Sequence, residues 1–360
     1  MAYGESNIVI NVYLAPVVGQ GATFSTVLYL VDEAQGTGNA LNGDRFRTYN
    51  STTDVDDDET AGYITAEVAQ ALTDGFAQRP IPQEILVGRV DTGGAEGYDD
   101  GLAACIAAGA EFYGVALDKR TATEILEVSA ALEGYDFYIS GLQSADADWL
   151  TVDYPATLTA LENRERSCVA YHDIAAENMA LCWMVDRLNV DPDYLSGAFE
   201  GNVNEVAAYT TALTAGQLAF AEGNEVNVLC EFGTSNSWVS GGWNCAARPI
   251  DHIVTADWFK TRLRERLIAR VAEKAAKHEK INVDPSGSNE TAGIISGLLS
   301  QGEAANHFVK DQTRVTPITP DATDIAAKRL RFTVEGQLTT NARVFQVNVY
   351  LGTTALPEAA

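Results

Sequence analysis

The chain is short of cysteine, and what it has is scattered. Five cysteines stand at 105, 168, 182, 230 and 245, separated by 63, 14, 48 and 15 residues, so there is no Cys-x-x-Cys pair to hold zinc or run dithiol chemistry. No metal site is expected. Apolar runs stop short of the roughly 20 residues that cross a bilayer, and the N-terminus lacks the basic-then-apolar pattern of a secretory leader. The expectation is a chain that stays where it is made until lysis releases it. Bases are also scarce: 24 Lys and Arg against 50 Asp and Glu leave a formal charge of −26. That balance repels nucleic acid and anionic membrane surfaces, and neither is expected as a partner.

What remains is the composition of a packed globular protein, 360 residues with 46% hydrophobic content, long enough for two or three domains. Cys105, Cys168, Cys182 and Cys230 sit among apolar neighbours, where a reduced cysteine packs as a small core residue. Cys245 lies in the Gly-rich stretch "SGGWNCAARP". It is expected to be accessible, and the odd count leaves an intermolecular pairing open.

From residue 26 to about 189, short runs rich in β-branched and aromatic residues alternate with segments of helical period. The runs are 26–31, 84–90, 111–117, 135–141 and 168–173; helices are expected over 59–77, 96–108, 121–132, 146–162 and 174–188. Strands apolar on both faces with a helix in each gap predict parallel pairing under two helical layers, an open doubly wound α/β domain. Ligands in that architecture bind beyond the carboxyl ends of the strands, yet no motif marks a catalytic or cofactor site. "GQGATFST" (19–26) precedes the first strand and has no Lys for a phosphate. "DVDDDE" (54–59) has Glu59 where a calcium loop needs Gly, and reads as a solvated turn entering a helix. His172-Asp173 ends a strand without a Gly-x-Ser-x-Gly elbow or a His-Glu-x-x-His partner. An enzyme here would have an unsignalled nucleophile and base.

The last third changes character. "NEVNVLCEF" alternates, with Val226, Val228, Cys230 and Phe232 on one face of a half-buried strand, and "SWVSGGWNCA" follows as its hairpin partner. Residues 251–280 hold eight bases and five acids, whereas the rest of the chain has 16 bases and 45 acids. Within this segment Phe259, Leu263, Leu267 and Val271 recur as an apolar stripe, and Arg262, Arg266, Arg270 and Lys274 as a basic one beside it. Two readings stay open: a solvated face steadied by pairs such as Arg262 with Glu265, or a contact ridge for an acidic surface. A helix over 290–301 and strands over 308–318, 328–338 and 342–352 complete an α+β domain.

The order of these elements, with "DHIVTADWFKTRLRERL", "GIISGLLSQG", "RLRFTVEGQL" and "VFQVNVYL" in succession, resembles the C-terminal domain of sheath proteins of contractile phage tails and related injection devices. The resemblance is clearest over 210–352, and "SNIVINVYL" near the start fits it too. It implies a structural, non-enzymatic subunit that polymerises helically around a tail tube and contracts to drive the tube through a host envelope. Its implied partners are neighbouring sheath subunits, the tube, and baseplate and tail terminator proteins. Its implied place is the virion's contractile tail, assembled in the host cytoplasm, and no cofactor is implied. The resemblance also implies that the two ends are arms donated to neighbouring subunits: Ile8, Ile10, Val12 and Leu14 would form one pocket-filling face, Phe345, Val347, Val349 and Leu351 the other. Ordinary internal strands are the alternative for both ends. The division expected is 1–22 arm and tether, 23–205 α/β domain, 206–340 C-terminal α+β core, and 341–360 arm and tail. An α/β enzyme, or a tube or baseplate subunit, are the rival functions; the basic ridge would touch the tube or a neighbour.

Overall fold

A computed structural model describes residues 23–32, 40–135, 137–151, 154–174, 176–232 and 236–339. Its organising element is β1 (Val27–Asp32), VLYLVD, buried at every position. Alternation sends Val27, Tyr29 and Val31 into one apolar layer and Leu28 and Leu30 into the other, as a central strand with helices on both faces requires. Parallel neighbours flank it: β3 (Ile85–Val90) on one side and β4 (Gly114–Leu117) on the other. Parallel pairing continues through β5 (Ile139–Ser144), β6 (Ser167–Tyr171) and β8 (Val226–Phe232).

Antiparallel strands close both sides of this sheet. They are β2 (Phe46–Tyr49) against β3, β9 (Asn236–Ser240) against β8, and the two-residue β7 (Gly201–Asn202) against β9. Among the described residues the order is β2-β3-β1-β4-β5-β6-β8-β9-β7. Helices α2 (Ala66–Phe76) and α6 (Met179–Leu188) bury their apolar residues in the layer of Val27 and Tyr29. The opposite layer takes α3 (Tyr98–Ala107), α4 (Ala122–Leu132) and α5 (Ala156–Leu161), and α7 (Ala215–Gly223) adds Ala221 to it. The doubly wound α/β architecture read from the sequence is thus present, with a mostly parallel sheet.

Several elements differ from the expectation. The acidic stretch 54–59 is no turn but part of α1 (Thr52–Ala61): Ser51 accepts from the Asp54 N–H, and Gly62 ends the helix at φ 76°. That left-handed residue suits glycine and divides the expected helix 59–77 into α1 and α2. The expected helix 146–162 is a 3₁₀ turn over Ala147–Leu150 followed by α5. β8 is buried on both faces, with Val226 and Val228 in one layer and Leu229 in the other. It therefore joins the main sheet in parallel with β6, and β9 extends that sheet beside it.

Beyond the sheet run α8 (Ile250–Ala276) and α9 (Pro285–Ala304), then β10 (Phe308–Ile318), the short α10 (Ala322–Ala326) and β11 (Arg331–Leu338). α9 starts earlier than 290 because Asp284 caps the Gly287 N–H with Pro285 in the first turn. α8 is tied to the sheet at Asp257, 3% exposed. Its carboxylate accepts from the Tyr113 hydroxyl at 2.8 Å and from both terminal nitrogens of Arg166. One side chain thus links the entries to β4 and β6 with the long helix. Removing one partner of a buried ion pair leaves the other charge uncompensated, at about 3–5 kcal/mol. Asp257→Ala should therefore lower the unfolding free energy by about that amount in a urea titration, and a loss below about 1 kcal/mol would deny the link its role.

Candidate assembly surface

The chemistry on offer is that of surfaces. β10 and β11 form a two-stranded antiparallel ribbon, Val315 opposite Val334 and Thr316 opposite Thr333, with an irregularity between Phe308 and Thr313 where Asp311 takes φ 61°. Most β11 positions are exposed, and among the described residues neither edge of the ribbon is paired. An isolated ribbon is marginal in water. This one is held at its base, where Phe308 lies edge-on to Phe259 at 6.1 Å and against Gly302, whose place a Cβ would take only 2.6 Å from the Phe308 ring. At its far end hydrogen bonds from Arg331 and Arg329 hold the Asp324 carboxyl down to about 2. Pro317 lacks a ladder donor and is tolerated where a strand has an open edge. Such an edge is a template for an added strand. The eight arm residues, Ile8, Ile10, Val12, Leu14, Phe345, Val347, Val349 and Leu351, lie outside the described residues.

The basic stripe turns toward the body of the chain. Arg262 pairs with Asp193 at 2.7 Å and Glu265 at 2.9 Å. Arg266 donates to the Gln301 side-chain oxygen. Arg270 pairs with Glu290 at 2.6 Å and also with Glu273, and Lys274 pairs with Glu279 at 2.9 Å. Three of these partners, Asp193, Glu290 and Gln301, come from the loop after α6 and from α9, so the stripe clamps α8 against them. The Arg262–Glu265 pair expected of a solvated face is present, and the contacts to α9 and the loop add to it. The apolar stripe beside it is buried at Phe259 and Leu263 but exposed at Val271, because the helix runs past the core.

The loop carrying Asp193 is latched from several directions. The Trp258 indole donates to Asp193 at 2.7 Å, the Ser196 N–H donates to the Ala305 carbonyl at 2.6 Å, and His307 reaches the Pro192 carbonyl through Nε2 at 2.7 Å. His307 is 1% exposed, stacks on Trp258 at 4.3 Å and meets Thr255 through Nδ1. Burial holds its pKa below the ordinary histidine range.

His172 is fully buried. Its Nδ1 accepts from the Ile174 N–H at 3.2 Å and its Nε2 faces the Ala207 carbonyl at 2.9 Å, so the ring spans backbone groups in a structural role. A cleft of about 310 Å³ opens at the carboxyl ends of β4 and β5, lined by Arg120, Ser144, Asp146 and Trp149. Among the described residues no three His, Cys, Asp or Glu side chains are grouped to hold a metal, and no helix is long and apolar enough to cross a membrane.

Cys245 corrects the sequence reading. It is 8% exposed, its N–H donates to the Ser167 carbonyl at 2.8 Å, and burial pushes its thiol up. The Gly-rich loop folds back along β6 through Gly241 and Gly242, at φ 106° and 61°, instead of projecting. Cys230, expected in the core, is partly exposed.

The fold is shared with chains of solved contractile injection systems. The structure matches a chain in the sixfold-symmetrised baseplate of the anti-feeding prophage at TM-score 0.70 and 15% identity, over 97% of this chain and 100% of that one. It matches the contracted sheath complex of PVC, an extracellular contractile injection system, at 0.69 and 12%, over 98% of each chain. A third likeness, to the contracted helical sheath of the anti-feeding prophage, has TM-score 0.66 and 14% identity over 97% and 99%. No family model matches the chain, and no curated protein matches it by sequence. At these identities the likeness is one of fold.

Two measurements check the geometry above. In native protein a thiol reagent should label Cys230 well before Cys105, Cys168, Cys182 and Cys245, since burial suppresses the thiolate; early labelling of Cys245 in a peptide map would contradict its burial. A histidine whose folded pKa lies below its unfolded value stabilises fully above about 6.5 and loses that contribution as pH falls. His307→Gln should therefore flatten the decline of unfolding free energy between pH 7.5 and 5.5, while an unchanged slope would remove His307 from that decline.

Proposed function

We propose that this chain is the structural subunit of a contractile sheath, polymerising helically around a tail tube and shortening to drive the tube through a host envelope. The observation that carries the reading is the likeness over 97% or more of this chain to subunits of contracted sheaths. The mechanism is assembly geometry: contacts that do not close on themselves generate helical filaments, and a change in their angle changes the filament's length. No catalytic role is assigned. Neighbouring copies, the tube, and baseplate and terminator proteins are the partners proposed, with assembly in the host cytoplasm and residence in the tail.

The two ends act as donated strands. Ile8, Ile10, Val12 and Leu14, and Phe345, Val347, Val349 and Leu351, would pair with open edges of the β10–β11 ribbon of neighbouring copies, main-chain hydrogen bonds supplying affinity and alternate side chains register. The domain division, too, is proposed: arm and tether at 1–22, an α/β domain over 23–205, a C-terminal α+β core over 206–340 whose strands β8 and β9 extend the α/β sheet, and arm and tail at 341–360. Arg262, Arg266, Arg270 and Lys274, which also hold α8 in place, are proposed to contact the tube or a neighbouring copy.

Electron microscopy of the purified chain tests the reading, with wide hollow tubes expected. A variant starting at Gly21 should melt at the wild-type temperature and form no tubes. Retained polymerisation together with a lowered melting temperature would make the first segment an internal strand of its own subunit and overturn the arm assignment.

A further inference from the structure

The first and last stretches of the described chain are both tied to α8. Phe24, buried, packs on Tyr113 at 4.9 Å and Phe137 at 5.4 Å, and the Arg262 guanidinium lies over its ring at 5.8 Å. At the other end Thr339 donates its N–H to the His307 carbonyl at 3.1 Å, and its own carbonyl accepts from His252 Nε2 at 3.1 Å. His252 and Arg262 stand ten residues apart on α8, about 15 Å along its axis. Anything that links the two ends has to pass through groups between them.

Those groups are present, and each helps to orient the next. Arg262 meets Asp193 with two nitrogens, Nε at 2.9 Å from one carboxylate oxygen and a terminal nitrogen at 2.7 Å from the other. This fork fixes the guanidinium, and the same group makes the cation–π contact with Phe24. A guanidinium that swings off the carboxylate therefore leaves the ring as well. The Asp193 oxygen that takes Nε also accepts from the Trp258 indole N–H at 2.7 Å. Trp258 is fully buried and lies nearly parallel to the His307 ring, 4.3 Å away. Thr255 and the Pro192 carbonyl hold the two nitrogens of that ring, and the backbone carbonyl of His307 holds Thr339. Phe24, Arg262, Asp193, Trp258, His307 and Thr339 thus form an unbroken series of contacts, with the Asp193 carboxylate shared by both halves.

We infer that this series is a coupling device: the seating of Phe24 and the seating of Thr339 are linked through Asp193, so that loosening the chain at one end loosens it at the other. Coupling needs an element with discrete arrangements, and the bidentate Arg262–Asp193 pair supplies one, being either made or broken. Such a linkage is reciprocal. Its role rests on the sheath reading, in which the segments leaving at 23 and 339 are arms held by different neighbours, and a pull on one arm then reaches the root of the other. The coupling itself is a property of the single subunit and is tested there.

Hydrogen exchange at the Thr339 amide reads the far end of the series. The test uses dilute full-length protein, shown by sedimentation velocity to have the same mass in every form: wild type, Phe24→Leu, Asp193→Asn, the double variant, and Val128→Ala, which weakens the opposite apolar layer and touches no member of the series. Phe24→Leu keeps an apolar side chain but removes the ring under Arg262, and it should speed Thr339 exchange about threefold or more, the size expected of such couplings. Asp193→Asn should speed it about tenfold, by breaking the shared ion pair. Contacts in series fail together, so the double variant should exchange no faster than Asp193→Asn alone. Val128→Ala should change the rate less than about twofold, because an amide at the end of a ribbon exchanges by local opening. An unchanged rate in Phe24→Leu, effects that multiply in the double variant, or an equal rise in Val128→Ala overturns the coupling. Should Asp193→Asn fail to fold, Phe24→Leu against Val128→Ala decides alone. The expected pattern in a protein that never forms tubes supports the coupling and removes its role in a sheath.

Discussion

The rest of the molecule depends on how one long helix is anchored at one end. Over its first half α8 is a core element: Trp258 is fully buried, and Asp257 is bound by Tyr113 and Arg166 from the sheet. Over its second half it has left the core and is held on one side, by Arg270 and Lys274 against Glu290. An element fixed in that way transmits the orientation of the α/β body to whatever its far half touches. The ribbon shares this anchorage, because Phe308 at its base packs on Phe259 of the same helix. Body, helix and ribbon are coupled through a few side chains around Trp258, and a force applied at the ribbon is carried to the sheet by packed contacts and paired charges instead of by a loop.

Charge explains why the pairing is arranged as it is. In a chain of net −26, cations are scarce, and the ion pairs among the described residues use them within the molecule. Arg262, Arg270 and Lys274 neutralise Asp193, Glu290 and Glu279 where two helices and a loop meet. The exposed members of such pairs contribute little individually, so their value lies in register: each cation suits one position of α9 or the loop relative to α8. Copies of so acidic a chain repel at a distance, so any association between them would depend on specific short-range contacts.

Legibility in the sequence followed how local each determinant is. The central strands were readable because VLYLV and ILVGRV are apolar on both faces, and the parallel α/β architecture follows from that. β2 was missed: four residues of FRTY at a sheet edge carry too short an alternation to register. α1 was misread as a turn although Ser51 and Gly62 carry standard cap signals, because a run of aspartates is weak in helix propensity and Val55 is its one apolar anchor. The basic stripe was located correctly on a helix, yet its orientation depended on Asp193 and Gln301, which are distant in sequence and bear no pattern of their own. Cys245 shows the same limit, since a Gly-rich loop can fold back as readily as project. The arm residues at both ends lie outside the described residues, so their reading stands on strand pattern and resemblance.

The open ribbon and the anchored helix place different demands on an assembly, and their combination is informative. Strand addition to a ribbon edge supplies main-chain hydrogen bonds that tolerate twist, because two strands can rotate about their shared axis while keeping register. A packed helix face tolerates much less, since its side chains fit one crossing geometry at a time. Under the proposed sheath role, a polymer that stays continuous while changing length would call on one joint of each kind, a paired strand that holds and a packed contact that can exchange one fit for another. The latched loop at 192–196 and the Asp257 link join body, helix and ribbon into one packed unit, so under the proposed sheath role a change of length would fall between copies.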